Sequence, residues 1–340
     1  MQKGIEGVMK PLFHCKNLNA PFGDPALYIE LLHQKQALLF DLGDLSSLEE
    51  AKVLKISHVF VSHTHMDHFF GFDQLLRVIL GRDKKVTLFG PPGIIANVAG
   101  KLSGYTWNLV KDYPLQVRVG EVHPQFIQYA LFICSDQFRG VEGEKVPYEN
   151  VLEENPHFKI ESVHLDHKIP CLAFSMVERF HININKDNLM KLGFSVGPWL
   201  REFKEHIWED KPESTMMRIL VDREGRAEVK EATLGDLKKE VVTITAGQKI
   251  AYVSDCRYSR ENEEKIVRLA EGADVFFCEA AFLEKDREKA AAKDHLTAGQ
   301  AGLVARRAGV KSLHVFHFSP RYDKCPEELE QEAQSAFKGE

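Results

Sequence analysis

The feature that most constrains this chain is a histidine-rich motif placed where a short apolar strand ends. The segment from His58 to Val61 is typical of a buried strand, and it runs directly into SHTHMDH. Side chains at such a strand-to-helix turn can converge on one point, and imidazole and carboxylate groups are good ligands for zinc and related divalent ions. The motif therefore predicts a metal site rather than a solvated polar loop, with ligands His63, His65, Asp67 and His68.

Three later segments each offer one further ligand at the end of an apolar run. VHLDHKIP offers His167 or His164, IAYVSDC offers Asp255, and LHVFHFSPRY offers His317. Taken singly, each is more often an ordinary polar residue than a ligand. If the strands end at one rim of a sheet, however, these residues together complete two sites, and Asp255 could bridge two ions. The residues therefore predict a dinuclear metal centre.

Strand-like and helix-like segments alternate in both halves of the chain, which predicts an α/β sandwich with sheets inside and helices outside. In the first half, strands are predicted at 28–32, 37–40 and 58–61, and helical spacing at 75–80. In the second half, strands are predicted at 250–253, 275–278 and 312–316, and helices at 261–271 and 298–308. Gly309 supplies a stop signal for the last of these helices.

We interpret residues 1–340 as a single domain in which 181–247 form an inserted, protruding segment. The insertion is rich in charge and contains a hairpin pattern, RILVDREGRAEV, with its turn at Glu224-Gly225. After Pro326 the sequence predicts a solvated acidic helix.

Composition excludes several classes of protein. Hydrophobic residues make up 44% of the chain, which is too many for intrinsic disorder. The 44 basic and 50 acidic residues give a net charge of −6, so contact with nucleic acid requires a local patch and not bulk charge. We expect no membrane segment, and the six cysteines form no CxxC pair. These patterns predict a cytoplasmic protein with reduced thiols.

The motifs resemble those of the metallo-β-lactamase superfamily, and within it the ribonuclease Z family of tRNA 3′-processing endonucleases. HxHxDH is shared across the superfamily, whereas three other segments are specific: CEAAFLEKD resembles the family's HEAT-F segment, DHLTAGQAGL its HST-x-QA segment, and HFSPRY its closing HFSxRY. LGFSVGPWLREFK resembles the Gly-Pro segment in the region of the family's tRNA-gripping arm. The resemblance covers about Leu27 to Tyr322 and implies an αββα sandwich of two βα halves with the metal site at the shared sheet rim.

The resemblance also implies a role for individual residues. LDHKIP matches the family segment in which the histidine before Ile-Pro is a ligand, which selects His167. The first metal would then take His63, His65, His167 and Asp255, and the second Asp67, His68, Asp255 and His317. His295 corresponds to the family's proton-handling histidine, and Glu279 to its partner. The expected ions are two zinc ions, although the same ligands suit manganese. Members of the family commonly form homodimers, which this sequence neither predicts nor excludes.

Phosphodiester hydrolysis by such a centre requires a nucleophile and groups that stabilise the charge on the phosphoryl oxygens. A hydroxide bridging two metal ions would attack, and Asp67 would hold its proton. His295 would protonate the departing 3′ oxygen while Glu279 fixes its tautomer. Ser319 and Arg321 could contact phosphate oxygens; the alternative for Arg321 is a surface salt bridge, and for Glu279 a surface acid. His164 and Asp166 could orient His167.

Some segments depart from the family pattern, and these departures bear on which substrate the protein cleaves. LGDLSSLEE stands where the family has a Gly-Glu-Gly-Thr-Gln loop, SDC replaces GDT, and CEAA replaces HEAT. The leading hypothesis is an endonuclease acting on tRNA precursors. The first alternative is a hydrolase of a small phosphodiester or another ester at the same metals. The second is a non-catalytic, metal-stabilised binding protein, which the full set of predicted ligands disfavours.

Overall fold

The structure is a computed structural model, and it describes residues 13–32, 35–223 and 226–340. The chain divides into two compact units. Of the described residues, the first unit contains those up to 153 together with 160–176 and 249–340, and the second contains those in 154–159 and 177–248. The division into a single domain with an insertion at 181–247 stays a prediction.

The strands in chain order are β1 (Phe13–Asn17), β2 (Leu27–Leu31), β3 (Ala37–Phe40), β4 (Ile56–Phe60), β5 (Lys85–Gly90), β6 (Gln116–Val122), β7 (Phe126–Ile133), β8 (Gly140–Pro147), β9 (Val151–Glu154), β10 (Phe158–Asp166), β11 (Pro170–Glu178), β12 (His181–Ile184), β13 (Met216–Arg223), β14 (Arg226–Thr233), β15 (Val242–Thr245), β16 (Lys249–Val253), β17 (Val275–Glu279) and β18 (Leu313–Phe316). The α-helices are α1 (Glu50–Val53), α2 (Met66–Phe69), α3 (Phe72–Ile79), α4 (Ile94–Ser103), α5 (Lys186–Lys191), α6 (Trp199–Trp208), α7 (Leu234–Val241), α8 (Arg260–Ala270), α9 (Arg287–Lys293), α10 (Ala298–Ala308) and α11 (Pro326–Lys338). Short 3₁₀ turns lie at Cys134–Asp136, Glu284–Asp286 and Pro320–Tyr322.

Two sheets build the first unit. One has eight strands in the order β1 to β8, and its central strands β3, β4, β5 and β6 are parallel. The other has six strands in the order β18-β17-β16-β11-β10-β9, and β16, β17 and β18 are parallel. Because parallel strands end at the same edge, residues that follow β3 and β4 lie at one edge of the first sheet, and those that follow β16, β17 and β18 at one edge of the second.

The two sheets pack face to face through aromatic side chains. Phe40 of β3 lies 5.4 Å from Phe174 of β11 and 5.6 Å from Tyr252 of β16, measured between ring centroids. Phe60 of β4 lies 5.8 Å from Phe174. All four side chains are buried, and each contributes about 1.5–3 kcal/mol by leaving water. This aromatic layer fixes the two sheets against each other.

Helices cover the outer face of each sheet, so the predicted αββα sandwich is confirmed. Residues that alternate with the aromatic layer, such as Leu39 and Val59, join the buried residues of α3 in one cluster. On the second sheet, α8, α10 and α11 supply the corresponding cluster. Helix α10 starts at a capping box between Thr297 and Gln300 and ends at Gly309, whose φ of 62° is left-handed, as the stop signal predicted.

The prediction that the C-terminal helix is solvated is wrong. Helix α11 does form from Pro326, but Leu329 and Ala333 are fully buried in the cluster that includes α10. Gly302 of α10 permits the contact, because a Cβ atom there would collide with the Ala333 carbonyl oxygen. The acidic residues occupy only the remaining face of the helix.

The second unit has its own buried cluster, which contains residues of α5, α6, α7 and β13. Strands β13 and β14 pair antiparallel from Met216↔Thr233 to Arg223↔Arg226, as the hairpin pattern predicted, and the turn itself at 224–225 lies outside the described residues. Strands β12 and β15 form a second antiparallel pair. Among the helices in the described ranges, none has the length and hydrophobicity needed to cross a membrane.

Candidate metal centre

The histidine motif leaves β4 and enters α2 as the sequence predicts. His63 and His68 are fully buried, whereas His65 is exposed and Asp67 half-buried. His63 Nε2 lies 2.9 Å from His65 Nδ1, and His68 Nε2 lies 3.4 Å from Asp67 Oδ2. The backbone N–H of Leu42, just after β3, donates to the His68 carbonyl oxygen at 2.9 Å and ties the motif to the neighbouring strand. The motif thus presents two pairs of potential ligand atoms side by side.

Two groups of predicted ligands assemble here. In each group the ligand atoms lie within 4.8 Å of one another: the first group is His63, His65, His167 and Asp255, and the second is Asp67, His68 and His317. Asp255 is 2% exposed and faces both groups. Its Oδ2 lies 3.8 Å from His63 Nε2 and 3.5 Å from His68 Nε2, and its Oδ1 lies 3.0 Å from His317 Nδ1. The seven side chains singled out in the sequence therefore come together, with Asp255 between the two groups.

The side chains fit divalent metal ions. His68 Nε2 is buried and has no hydrogen-bond partner among the described residues, although a buried imidazole nitrogen normally has one. The same atom faces the carboxylates of Asp67 and Asp255. A metal ion is the partner that satisfies a buried nitrogen and two carboxylates at once.

The charges of the site favour a cation. Burial, reinforced by the neighbouring His68, lowers the pKa of His63 to about 2, so this imidazole is neutral, as a metal ligand must be. Burial alone would raise the pKa of Asp255, but His317 and His68 outweigh it and hold that pKa well below its usual range. Likewise, burial would lower the pKa of His317, but Asp255 and Asp67 raise it to about 10. Protonated His317 and His68 thus balance the ionised carboxylates, and a bound metal ion would take the place of their protons.

Two partners that the sequence analysis did not identify hold the imidazoles. The carboxylate of Asp41, directly after β3, lies 3.0 Å from His68 Nδ1 and also accepts from Ser62 and Tyr252. The Nδ1–H of His167 donates to the Asp294 carbonyl oxygen at 2.8 Å. Such contacts fix the tautomer and orientation of a metal-binding imidazole. A carboxylate directly after a buried parallel strand was the available signal for Asp41; no local pattern identified Asp294.

The prediction that His164 and Asp166 orient His167 is wrong. His164 Nε2 lies 3.0 Å from the Val122 carbonyl oxygen instead, and Asp294 holds His167. The reason is geometric: His167 lies just past the end of β10 and is followed by Lys168 in the left-handed region (φ 59°). His164 also belongs to neither ligand group.

Glu279 and His295 form a close pair beside the ligand groups. Glu279 Oε2 lies 2.9 Å from His295 Nδ1, and Glu279 Oε1 accepts from the Cys256 N–H at 2.7 Å. Glu279 is fully buried, so the alternative that it is a surface acid is wrong. Burial would lower the pKa of His295, but the Glu279 carboxylate raises it. His295 also lies 3.9 Å from Asp255, which places the pair next to the candidate metal ligands.

Ser319 and Arg321 follow His317, and Arg321 lies in the 3₁₀ turn Pro320–Tyr322. Arg321 Nη1 lies 3.5 Å from Asp286 Oδ1, which is the ion pair named as the alternative for this residue. Its guanidinium also lies 5.6 Å from the Phe282 ring centroid, and the Phe282 ring lies 6.2 Å from that of His295. Phosphate contact by Ser319 and Arg321 stays a prediction.

Comparison with solved structures identifies the class of protein. The fold is similar to that of the metallo-β-lactamase fold protein YhfI from Bacillus subtilis, with a TM-score of 0.53 at 15% identity over 94% of this chain and 88% of that one. It is also similar to the short form of human tRNase Z, with a TM-score of 0.50 at 18% identity over 92% and 93% of the two chains. The fold and its histidine–aspartate cluster therefore define a metallo-β-lactamase fold protein.

Sequence comparison is more specific. The chain is 30% identical to ribonuclease Z of Deinococcus radiodurans over 327 residues, which cover 94% of each protein. It is 26% identical to ribonuclease Z of Nanoarchaeum equitans over 87% of this chain and 78% of that one. No family model matches the chain. The chain belongs to the ribonuclease Z family, and it is a metal-dependent hydrolase of the endoribonuclease type.

Proposed function

We propose that this protein is a two-metal phosphodiesterase that removes the 3′ extension of tRNA precursors by endonucleolytic cleavage. The observation that carries the proposal is the convergence of two ligand groups on Asp255, with the Glu279–His295 pair beside them. Similarity to proteins named ribonuclease Z and tRNase Z supplies the substrate class.

In this proposal the two ligand groups each hold one ion and share Asp255. The first ion would be bound by His63, His65, His167 and Asp255, and the second by Asp67, His68, Asp255 and His317. Two zinc ions, or manganese ions, would supply an activated water at neutral pH and positive charge for the phosphoryl oxygens. The aspartate carboxylates and neutral imidazoles found here are suitable ligands for either metal.

The chain's own residues would move the protons. Asp67 projects from the start of α2 beside His68, and its carboxylate would ligate one ion and hold the proton of the attacking hydroxide. His295 donates its Nδ1–H to Glu279, which leaves Nε2 to transfer a proton to the departing 3′ oxygen. Arg321, whose guanidinium lies close to the Phe282 ring, would contact a phosphate oxygen of the substrate.

The sequence departures bear on the choice between tRNA and a small diester. Cys278 and Ala281, which replace a histidine and a threonine of the family pattern, are 0% and 3% exposed. Both belong to the apolar cluster beneath the second sheet. Their substitution therefore changes the core and not the open face of the site, which favours an unchanged substrate class.

The test measures metal content by elemental analysis together with cleavage of two substrates, a 3′-extended tRNA precursor and a small chromogenic phosphodiester. We expect two metal ions per chain, tRNA cleavage at the 3′ boundary of the mature sequence, and inhibition of diester cleavage by unlabelled tRNA. Diester cleavage that tRNA does not inhibit would contradict the tRNA proposal while leaving the metal chemistry intact. Absence of bound metal would contradict both.

A further inference from the structure

A single buried carboxylate, that of Asp294, pairs with two cations at the rim of the site. Asp294 is 2% exposed, its Oδ1 lies 2.6 Å from Arg257 Nε, and its Oδ2 lies 2.5 Å from Lys168 Nζ. A buried carboxylate is costly unless both of its oxygens are compensated, and here each oxygen has its own cation. We call Lys168, Asp294 and Arg257 the ion triad.

Each member of the ion triad stands next to a proposed site residue. Lys168 follows His167, Arg257 comes two residues after Asp255, and Asp294 directly precedes His295. These segments lie far apart in the chain, and the triad joins them at one point. A change in the ion triad would therefore alter the positions of the proposed ligand His167, the carboxylate of Asp255 and the proposed acid His295.

The backbone at two members of the triad is unusual. Lys168 and Asp294 both have a φ of 59°, in the left-handed region that residues other than glycine rarely adopt. At Asp294 this conformation aims the carbonyl oxygen at His167, whose Nδ1–H donates to it at 2.8 Å. Asp294 is the C-cap of α9, where a left-handed residue is common, and the two ion pairs of its side chain add to the backbone hydrogen bonds that hold this conformation.

Arg257 also makes contacts with Asp166, in addition to its ion pair with Asp294. Its Nη1 lies 3.4 Å from Asp166 Oδ2, and its backbone N–H donates to the Asp166 carbonyl oxygen at 2.8 Å. The Asn262 side chain, near the start of α8, donates to the carbonyl oxygens of both Asp166 and Arg257. The triad is therefore anchored to a helix and does not depend on loop residues alone.

We propose that Asp294 is a positioning residue for the metal centre: through Lys168 and Arg257 it sets the orientation of His167 and the place of His295 relative to Asp255. This inference rests on the proposed function, because it assigns Asp294 to the same site. It predicts that the negative charge of Asp294 affects metal affinity although Asp294 supplies no ligand atom.

Asp294→Asn is the informative variant. Asparagine has nearly the same shape and tolerates the left-handed region, so the substitution removes the charge while keeping the backbone conformation accessible. The matched control is Asp274→Asn. Asp274 precedes β17, at the opposite end of that strand from Glu279, and pairs with Lys311 at 2.6 Å. It lies in no ligand group.

The readouts are zinc affinity by chelator competition, thermal unfolding without added metal, and kcat and KM on the tRNA precursor. We expect Asp294→Asn to weaken zinc affinity by about 10- to 100-fold and to lower kcat with little change in KM. Asp274→Asn should lower only the unfolding temperature. Lys168→Met, which leaves the Arg257 pair in place, should give a smaller loss of zinc affinity in the same direction and covers the case that Asp294→Asn does not fold.

Two results would overturn the inference. One is wild-type zinc affinity and kcat in folded Asp294→Asn. The other is a loss of unfolding temperature equal to that of Asp274→Asn with no change in zinc affinity, which indicates a purely structural ion pair. Failure of the proposed function looks different, since the wild-type protein itself would then bind no zinc or leave the tRNA precursor uncut.

Discussion

Asp41 and His68 form a fully buried pair in which Asp41 Oδ2 lies 3.0 Å from His68 Nδ1. The contact commits Nδ1 of the imidazole to the carboxylate and leaves Nε2 directed at Asp67 and Asp255. Asp41 is held in turn by Ser62 and Tyr252, so the orientation of His68 is set by both sheets of the first unit. The candidate centre is therefore built around a ligand whose direction the core of the protein determines.

Replacement of this carboxylate should weaken metal binding. We expect Asp41→Asn to reduce zinc affinity by about 10- to 100-fold, because the amide cannot match the carboxylate as an acceptor for His68 and its other donors. Chelator competition measures the change. Glu30→Gln is the control, since Glu30 on neighbouring β2 pairs with Lys55 at 2.6 Å and lies in no ligand group. Equal zinc affinity in the two variants would show that Asp41 does not contribute to metal binding.

Removal of the shared carboxylate should affect both ions. Asp255→Ala is expected to lower metal content from two ions per chain and to abolish activity, since Asp255 faces both ligand groups. Elemental analysis after gel filtration measures the content. Asp323→Ala, which changes an exposed carboxylate shortly after His317, should retain both ions. Two ions in Asp255→Ala would show that the bridging assignment is incorrect.

Loss of the proposed acid should separate turnover from metal binding. His295→Ala should keep its metal while kcat falls by ~10²–10⁴, the usual contribution of a positioned acid or base. His314→Ala serves as the control, because His314 is an exposed histidine of β18 whose ring stacks on Phe277. If kcat on the tRNA precursor is the same in both variants, His295 takes no part in the mechanism.

Metal should stabilise the folded chain. The folded chain brings together ligand atoms that lie far apart in the unfolded chain, so a bound metal ion stabilises the folded state. Zinc at 100 times its Kd is expected to add about 2.7 kcal/mol per independent site to the free energy of unfolding. Thermal unfolding with zinc and with a chelator measures the effect, and Asp255→Ala should lose most of it. Identical curves in zinc and chelator would contradict a metal centre.

The packing of α11 gives a prediction independent of metal. Leu329 is fully buried against the cluster that includes α10, so Leu329→Ala should lower the free energy of unfolding by about 2–5 kcal/mol. Leu303→Ala is the matched control on α10, because Leu303 is 40% exposed. Urea unfolding compares the two. A cost at Leu329 no larger than at Leu303 would show that α11 does not stabilise the fold.

Local patterns predicted much of this fold and its ligands. Strand and helix bounds in both halves agree with the structure to within about two residues where periodicity was strong, as at α10. Asp255 and His317 could be predicted because each lies within two residues of the end of an apolar strand. The seven predicted ligands are brought together, while their role as ligands stays a prediction.

Local sequence patterns could not predict tertiary contacts between residues far apart in the chain. Asp294 lies 127 residues from His167, and nothing in the intervening sequence indicates their hydrogen bond. The packing of α11 was missed because its acidic composition outweighed the two residues, Leu329 and Ala333, that share one face at helical spacing. In both cases tertiary structure, and not local preference, decides the contact.

Asp67 and His317 lie 3.2 Å apart although 250 residues separate them in the chain. Bringing such distant residues together costs chain entropy that no local turn can offset. An ion that needs both side chains therefore cannot order a short segment first, as zinc does in a zinc finger. It can be captured only after both sheets have formed, so metal uptake should follow folding in time, and unfolding of the sandwich should release the ion.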